Sequence, residues 1–314
     1  MKRLYPEIEP FDSFFLKTNS QHSIYVERSG NPQGIPVIFL HGGPCSGTQP
    51  KHRQFFNPKK YHIILMDQRG SGQSLPFGEI EHNTTQDLID DMERIRRQLN
   101  IKQWLLFSGS WGSTLALLYA QQHSACVLGM IIRGVFLARK KDLDWFAKEG
   151  AGRIYPEKWQ QLIGCIPEYG RADWIKGLYD VIFGQDEISQ RRAAYAWMAW
   201  GGQVALLQDY QEDHSKPVHV TEKMVQQVQM EMHYAVNKYF IAENQVIQDC
   251  YLLQNIPTII IHGRNDLVCP MEAGLSLHKA LPQAEYIVLP NAGHIASGEE
   301  MIDALVDATD RIVK

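Results

Sequence analysis

The run Ser108-Gly109-Ser110-Trp111-Gly112-Ser113 sets a hydroxyl among small residues. A serine hydroxyl is a weak nucleophile until a base takes its proton, and an imidazole base keeps the right tautomer when a carboxylate holds it. Both partner types occur downstream. Asp266 lies in His262-Gly263-Arg264-Asn265-Asp266, and His294 in Asn291-Ala292-Gly293-His294. The chemistry implied is acyl transfer: Ser110 attacks a carbonyl, His294 is the base and Asp266 orients it. The charge that develops on the substrate oxygen needs N–H donors. Trp111, directly after the nucleophile, offers one, and Gly43 in His41-Gly42-Gly43-Pro44 offers a second.

These residues are useful only if the chain brings them to one place. Ser110 falls between a predicted strand ending at Phe107 and a predicted helix from about Ser113 to Gln122, the sharp strand-to-helix turn that exposes a nucleophile. Ser108 stands where the G-x-S-x-G pattern has its first glycine, and serine is small enough for that turn. Asp266 follows a predicted strand ending near Ile261, and His294 one ending near Leu289. All three residues therefore sit just past strands on one edge of a sheet.

Further strands are predicted at Ser23–Val26, Pro36–Leu40, Tyr61–Met66 and Met130–Ile132, with helices starting near Asn83 and Glu272 and a last helix from about Glu299. Strands and helices alternate, then give way to a stretch with helical periodicity, then alternate again. That order predicts the α/β-hydrolase fold, a mostly parallel sheet with helices on both faces and an inserted helical cap. The core is expected at 1–138 and 245–314 and the cap at 139–244.

Composition excludes several classes. A formal net charge of -4 with dispersed Lys and Arg gives no footprint for nucleic acid or an anionic membrane. No apolar run is long enough for a bilayer span, and the first residues, Met1-Lys2-Arg3-Leu4-Tyr5-Pro6-Glu7, lead into no apolar signal region, so the cytoplasm is the expected location. Five scattered cysteines without a C-x-x-C pair are expected to be reduced thiols. No metal or cofactor is expected: H-E-x-x-H is absent, and Gly42-Gly43 and Gly70-Ser71-Gly72 lack the spacing of a dinucleotide or phosphate loop. His41 is expected to steady its loop. Asp67-Gln68-Arg69-Gly70 reads as a polar turn held by Arg69.

The chain resembles the prolyl aminopeptidases (proline iminopeptidases), which are capped α/β-hydrolases. The likeness runs through His41-Gly42-Gly43-Pro44, Asp67-Gln68-Arg69-Gly70, Gly109-Ser110-Trp111-Gly112-Ser113, Arg133-Gly134-Val135-Phe136, Asp144-Trp145-Phe146, His262-Gly263-Arg264 with Asp266, and Val268-Cys269-Pro270, nearly the whole chain. It implies metal-independent release of an N-terminal proline, or a similar small residue, from small peptides. It also implies two cap glutamates for the substrate's amine. One matches Glu231, in Glu231-Met232-His233-Tyr234; the other would follow Trp197-Met198-Ala199-Trp200, where this chain has Gly201. Phe136 and Phe146 match positions that contact the proline ring, whereas the aromatic expected after His233-Tyr234 is Ala235. Trp197 and Trp200 are expected in the cap's core and Cys269 as a packed thiol near the acid. Two alternatives accompany this reading: a carboxylesterase or broad aminoacyl-amide hydrolase on the same scaffold, and a non-catalytic ligand-binding protein of this fold.

Overall fold

The computed structural model describes residues 1–211 and 219–313. Strands β1 (Asp12–Lys17), β2 (Ser23–Gly30), β3 (Ile35–Leu40), β4 (Tyr61–Met66), β5 (Trp104–Ser110), β6 (Val127–Val135), β7 (Thr258–Gly263) and β8 (Glu285–Leu289) form one sheet in the order β1-β2-β4-β3-β5-β6-β7-β8. β2 runs antiparallel to β1 and β4, and every other pairing is parallel. β4 and β7 are buried along their whole length. Their unbroken apolar character follows from being covered on both faces, as in parallel sheets generally.

Alternate residues of the strands feed two cores. Ile38, Leu40, Ile64, Leu106 and Ile132 face one side, against helices α1 (Thr85–Gln98) and α2 (Trp111–Gln122). Val37, Phe39, Phe107, Ile131 and Ile261 face the other, where they meet the last helix of the chain. α1 begins where expected, because Thr84 and Asp87 cap each other: the hydroxyl accepts the Asp87 N–H and the carboxylate accepts the Thr84 N–H at 3.0 Å.

Between β6 and β7 the described residues contain helices and turns but no strand. The helices are α3 (Lys140–Asp144), α4 (Ala151–Ile154), α5 (Pro156–Ile163), α6 (Trp174–Ile182), α7 (Glu187–Leu206), α8 (Glu222–Val236) and α9 (Gln245–Gln248); residues 212–218 of this stretch lie outside the described residues. α5 to α8 enclose a core of their own, with Trp159, Trp174, Trp200 and Met232 buried in it. Tyr234 of α8 and Tyr239 after it pack instead into the core beneath the sheet, so the helical layer is tied to the sheet through aromatic rings. The sequence then returns to α10 (Met271–Ala280), β8 and α11 (Glu299–Arg311), the helix that covers the second face.

One element was not anticipated. β1 lies at the sheet's edge, where Phe15, and Phe11 just before the strand, stay half-exposed, so its residues lack the burial that makes an inner strand recognisable.

Candidate active site

Ser110 ends β5 and Trp111 opens α2, leaving no loop between them. The serine backbone is held at φ 56 and ψ -130, a region that costs a residue with a side chain about 1–3 kcal/mol and persists only where the surroundings force it. Close packing does so here. A Cβ on Gly112 would come within 2.1 Å of the Leu40 carbonyl oxygen, so the first turn of α2 can press against β3 only with glycine at that position. A Cβ on Gly42 would stand 3.2 Å from the Ser110 Cβ, which puts the β3 loop directly beside the hydroxyl.

Asp266 and His294 occupy the loops after β7 and β8. The His294 Nδ1–H donates to Asp266 Oδ2 at 2.8 Å, and Asp266 Oδ1 accepts the N–H groups of Val268 and Cys269 at 2.9 and 2.8 Å. Asp266 is 2 % exposed and His294 9 %. Burial opposes the carboxylate's charge, but the imidazole and these donors outweigh it and hold the Asp266 carboxyl below its ordinary value. The aspartate is thus ionised and fixed, and it leaves Nε2 as the imidazole nitrogen available to a reacting group.

Ser110, Trp111, Gly43 and His294 line one cavity of about 530 Å³, as do Glu231, Phe136 and Phe146. All eight residues singled out from the sequence are accounted for: seven line this cavity, and the eighth, Asp266, stands behind His294. Gly43 takes φ 111, which glycine tolerates, and a Cβ there would collide with the Cys45 amide nitrogen at 1.9 Å. The Trp111 indole is clasped between Tyr234 and Tyr239, with ring centroids 5.2 and 5.4 Å away, and its N–H donates to Gln68 Oε1 at 2.9 Å. Gln68 in turn donates its backbone N–H to His41 Nε2 at 3.0 Å, while the His41 Nδ1–H meets the Gly42 carbonyl at 2.8 Å. Burial pushes the His41 pKa down, so a neutral His41 ties the β3 and β4 loops together.

Trp197 packs against the helical core as expected, but that expectation was incomplete. Trp200 is 1 % exposed within the helical core, but Trp197 reaches the cavity, and its indole N–H donates to Glu231 Oε2 at 2.5 Å. Three residues apart on α7, the two tryptophans are neighbours on one face of the helix, Trp200 seated within the core and Trp197 at its margin, stacked on Trp174 with centroids 6.0 Å apart and within reach of α8. Glu231 Oε1 also accepts the Cys45 thiol at 3.2 Å, and burial followed by the carboxylate's charge drives that thiol's pKa well up. Gly201 and Ala235 line the same cavity, and a Cβ on Gly201 would meet nothing within 4 Å.

Three features had no role assigned from sequence. The Arg133 guanidinium, from the end of β6, donates to the His294 carbonyl. His262 Nε2 lies 3.7 Å from Asp266 Oδ2 and bonds the Cys269 carbonyl at 3.0 Å. Gly134, at φ 52, presents its Cα to the Asp266–His294 pair so closely that a Cβ would lie 3.2 Å from Oδ2. The only hint in the sequence is a charge and a glycine ending an otherwise apolar strand. Asp266, Cys269 and His294 have donor atoms within 4.8 Å of one another, as a metal site would. Both Asp266 oxygens are already committed to N–H groups, however, and burial then Asp266 push the Cys269 thiol's pKa well up, so this trio suits proton relay better than ion binding.

A family profile for the alpha/beta hydrolase fold matches residues 35–163 and 171–300. A probable proline iminopeptidase of Leptolyngbya boryana is 45% identical over 100% of this chain and 98% of its own, and a proline iminopeptidase of Xylella fastidiosa is 43% identical over the full length of both. Among solved structures, one from a study of carboxylesterases of Nitrososphaera gargenis superposes with a TM-score of 0.62 at 20% identity, over 95% of this chain and 98% of that one, a likeness of fold.

Proposed function

Because this chain belongs to the proline iminopeptidase family of α/β-hydrolases, we propose that it is a serine aminopeptidase that releases an N-terminal proline from small peptides through an acyl-enzyme. The observation that carries this reading is that Ser110 and the Glu231 carboxylate share one cavity. A peptide's terminal ammonium needs a counter-charge there, and the scissile carbonyl must reach a nucleophile.

In this cycle Ser110 Oγ attacks the prolyl carbonyl as His294 Nε2 takes its proton, and Asp266 stabilises the imidazolium that forms. The N–H groups of Gly43 and Trp111 receive the oxyanion. His294 then protonates the departing amine nitrogen, and water releases proline by the same route. Glu231 binds the ammonium, with Phe136 and Phe146 against the ring. The helices of 139–244 act as a cap that shields the amine end from bulk water, which favours removal of terminal residues over internal cleavage. The substrate is a small peptide. Five unpaired cysteines suit a reducing compartment such as the cytoplasm, and no helix among the described residues is long and apolar enough to cross a membrane.

The test is a panel of prolyl, alanyl and leucyl arylamides alongside simple aryl esters. Prolyl arylamide is expected to be the best substrate by kcat/KM, and Ser110→Ala to lower its turnover roughly 10⁴-fold or more while the protein stays folded. A flat aminoacyl profile with faster ester cleavage would instead assign the cavity to an esterase.

A further inference from the structure

The cavity around Ser110 has walls from two different cores. Its cap side holds Glu231, Trp197 and Phe146. Its other side is formed by Phe39, Phe55 and Phe107 with Ile302 of α11, residues of the core on the opposite face of the sheet. Phe55 and Phe107 are 4 % and 3 % exposed, so this second lobe is floored by rings. His52 also faces it, stacked on Phe39 with centroids 4.3 Å apart, and burial lowers its pKa to about 3, which keeps it uncharged.

One charge stands inside this apolar lobe. The Arg133 guanidinium lies flat along Gly109, the residue before the nucleophile: a Cβ on Gly109 would be 2.4 Å from a terminal nitrogen and 2.7 Å from Nε. It gives a single hydrogen bond, to the His294 carbonyl, and makes no ion pair among the described residues. The other cation lining the cavity, Lys51, is exposed. A guanidinium has five N–H donors in a planar fork, a shape that matches a carboxylate, and Arg133 is part-exposed, so most of its donors stay open to a ligand.

We propose that Arg133 forms a leaving-group subsite for the free α-carboxylate of the released residue, so that dipeptides are this hydrolase's preferred substrates. The inference rests on the aminopeptidase reading. In a dipeptide the α-carboxylate is one carbon from the scissile nitrogen, and the Arg133 guanidinium, reaching over from β6, lies against Gly109, the residue before Ser110, in the lining of the cavity that Glu231 also lines. The two charges of a zwitterionic dipeptide thus each find an opposite charge in the lining of one cavity. A longer peptide would present a neutral amide to the guanidinium and run its chain into the wall made by Phe55 and Phe107.

The experiment compares kcat/KM for L-prolyl-L-leucine and its C-terminal amide, with prolyl arylamide as a control. Wild-type protein is expected to favour the free acid by about tenfold or more, the size typical of one charge-assisted pair. Arg133→Gln should bring the acid-to-amide ratio close to one through a raised KM for the acid, and Arg133→Lys should restore part of it. A merely structural Arg133 would alter both substrates alike. A wild-type ratio of one or below overturns the subsite, as does a ratio that survives Arg133→Gln; should that variant not fold, the wild-type ratio still decides. Absence of prolyl arylamide turnover would instead defeat the aminopeptidase reading, so the two failures are separable.

Discussion

Among the described residues Glu231 is held by an indole N–H, a thiol and the Gln227 amide rather than by any cation, so no protein cation competes with a substrate ammonium for its carboxylate. Glu231→Gln preserves the shape and removes the charge. It is expected to lower kcat/KM for prolyl arylamide about 10–100-fold, the loss expected of a hydrogen bond to a charged group, with a much smaller effect on aryl esters, which lack the amine. Gly201 tests the same subsite from the opposite direction. Open space surrounds its missing Cβ, so Gly201→Glu can place a second carboxylate in the cavity without a clash. Prolyl turnover should rise at low substrate concentration, and the variant should unfold at a higher temperature, because glycine in α7 costs roughly 1 kcal/mol of helix stability. At this scale the sequence reveals those residues whose chemistry restricts their type and whose neighbours restrict their place: Ser110, Asp266 and His294 each follow a strand. It could not reveal which way Trp197 faces. A tryptophan packed in a core and one donating to Glu231 look alike until α7 and α8 are placed side by side.

The helices and strands matter here mainly as holders of loop ends. The loop after β4 is fixed by Arg69, whose guanidinium meets both Asp91 oxygens on α1 at 2.6 and 2.8 Å and Asp87 at 3.1 Å. Asp67 in the same loop accepts N–H groups from Thr48 at 2.6 Å and Gln73 at 2.7 Å, which ties it to the chain beyond Gly43. The polar turn read from Asp67-Gln68-Arg69-Gly70 is therefore a brace between α1 and the loops flanking the cavity. Its partner Asp91, in the middle of α1, carries no mark in the sequence, because an acidic residue on an amphipathic helix ordinarily faces water. Both side chains are buried, so Asp91→Ala would leave the guanidinium with Asp87 as its remaining counter-charge and the His82 carbonyl as its other acceptor. The expected loss is about 3–5 kcal/mol of stability, read from chemical denaturation, whereas an exposed ion pair such as Lys176 with Asp180 should cost under about 1 kcal/mol when broken. The same reasoning explains why β1 escaped notice while β4 and β7 were plain: inner strands carry unbroken apolar runs, and an edge strand need not.

For the molecule as a whole, the feature that composition does not disclose is how many of its histidines are kept neutral. Burial lowers the pKa of His41 and His262, and takes His62 to about 4 and His52 to about 3. In the unfolded chain each returns to about 6.5. Below that value the unfolded state binds more protons than the folded one, so stability is fully present above about pH 6.5 and is lost progressively as pH falls toward the folded values. Asp266 acts with the same sign in a lower window: its depressed carboxyl contributes above its ordinary value near 3.9 and is lost below it. The melting temperature is therefore expected to fall by roughly 5–10 °C between pH 7 and pH 4.5, after discounting for partial solvent access, and to fall further below pH 4. Differential scanning calorimetry across that range checks it. A melting temperature that is flat from pH 6.5 to 4.5 would mean that these imidazoles protonate within the fold. His41 would then gain a second N–H and lose the lone pair that accepts from Gln68, and with it the link between the β3 and β4 loops beside Ser110.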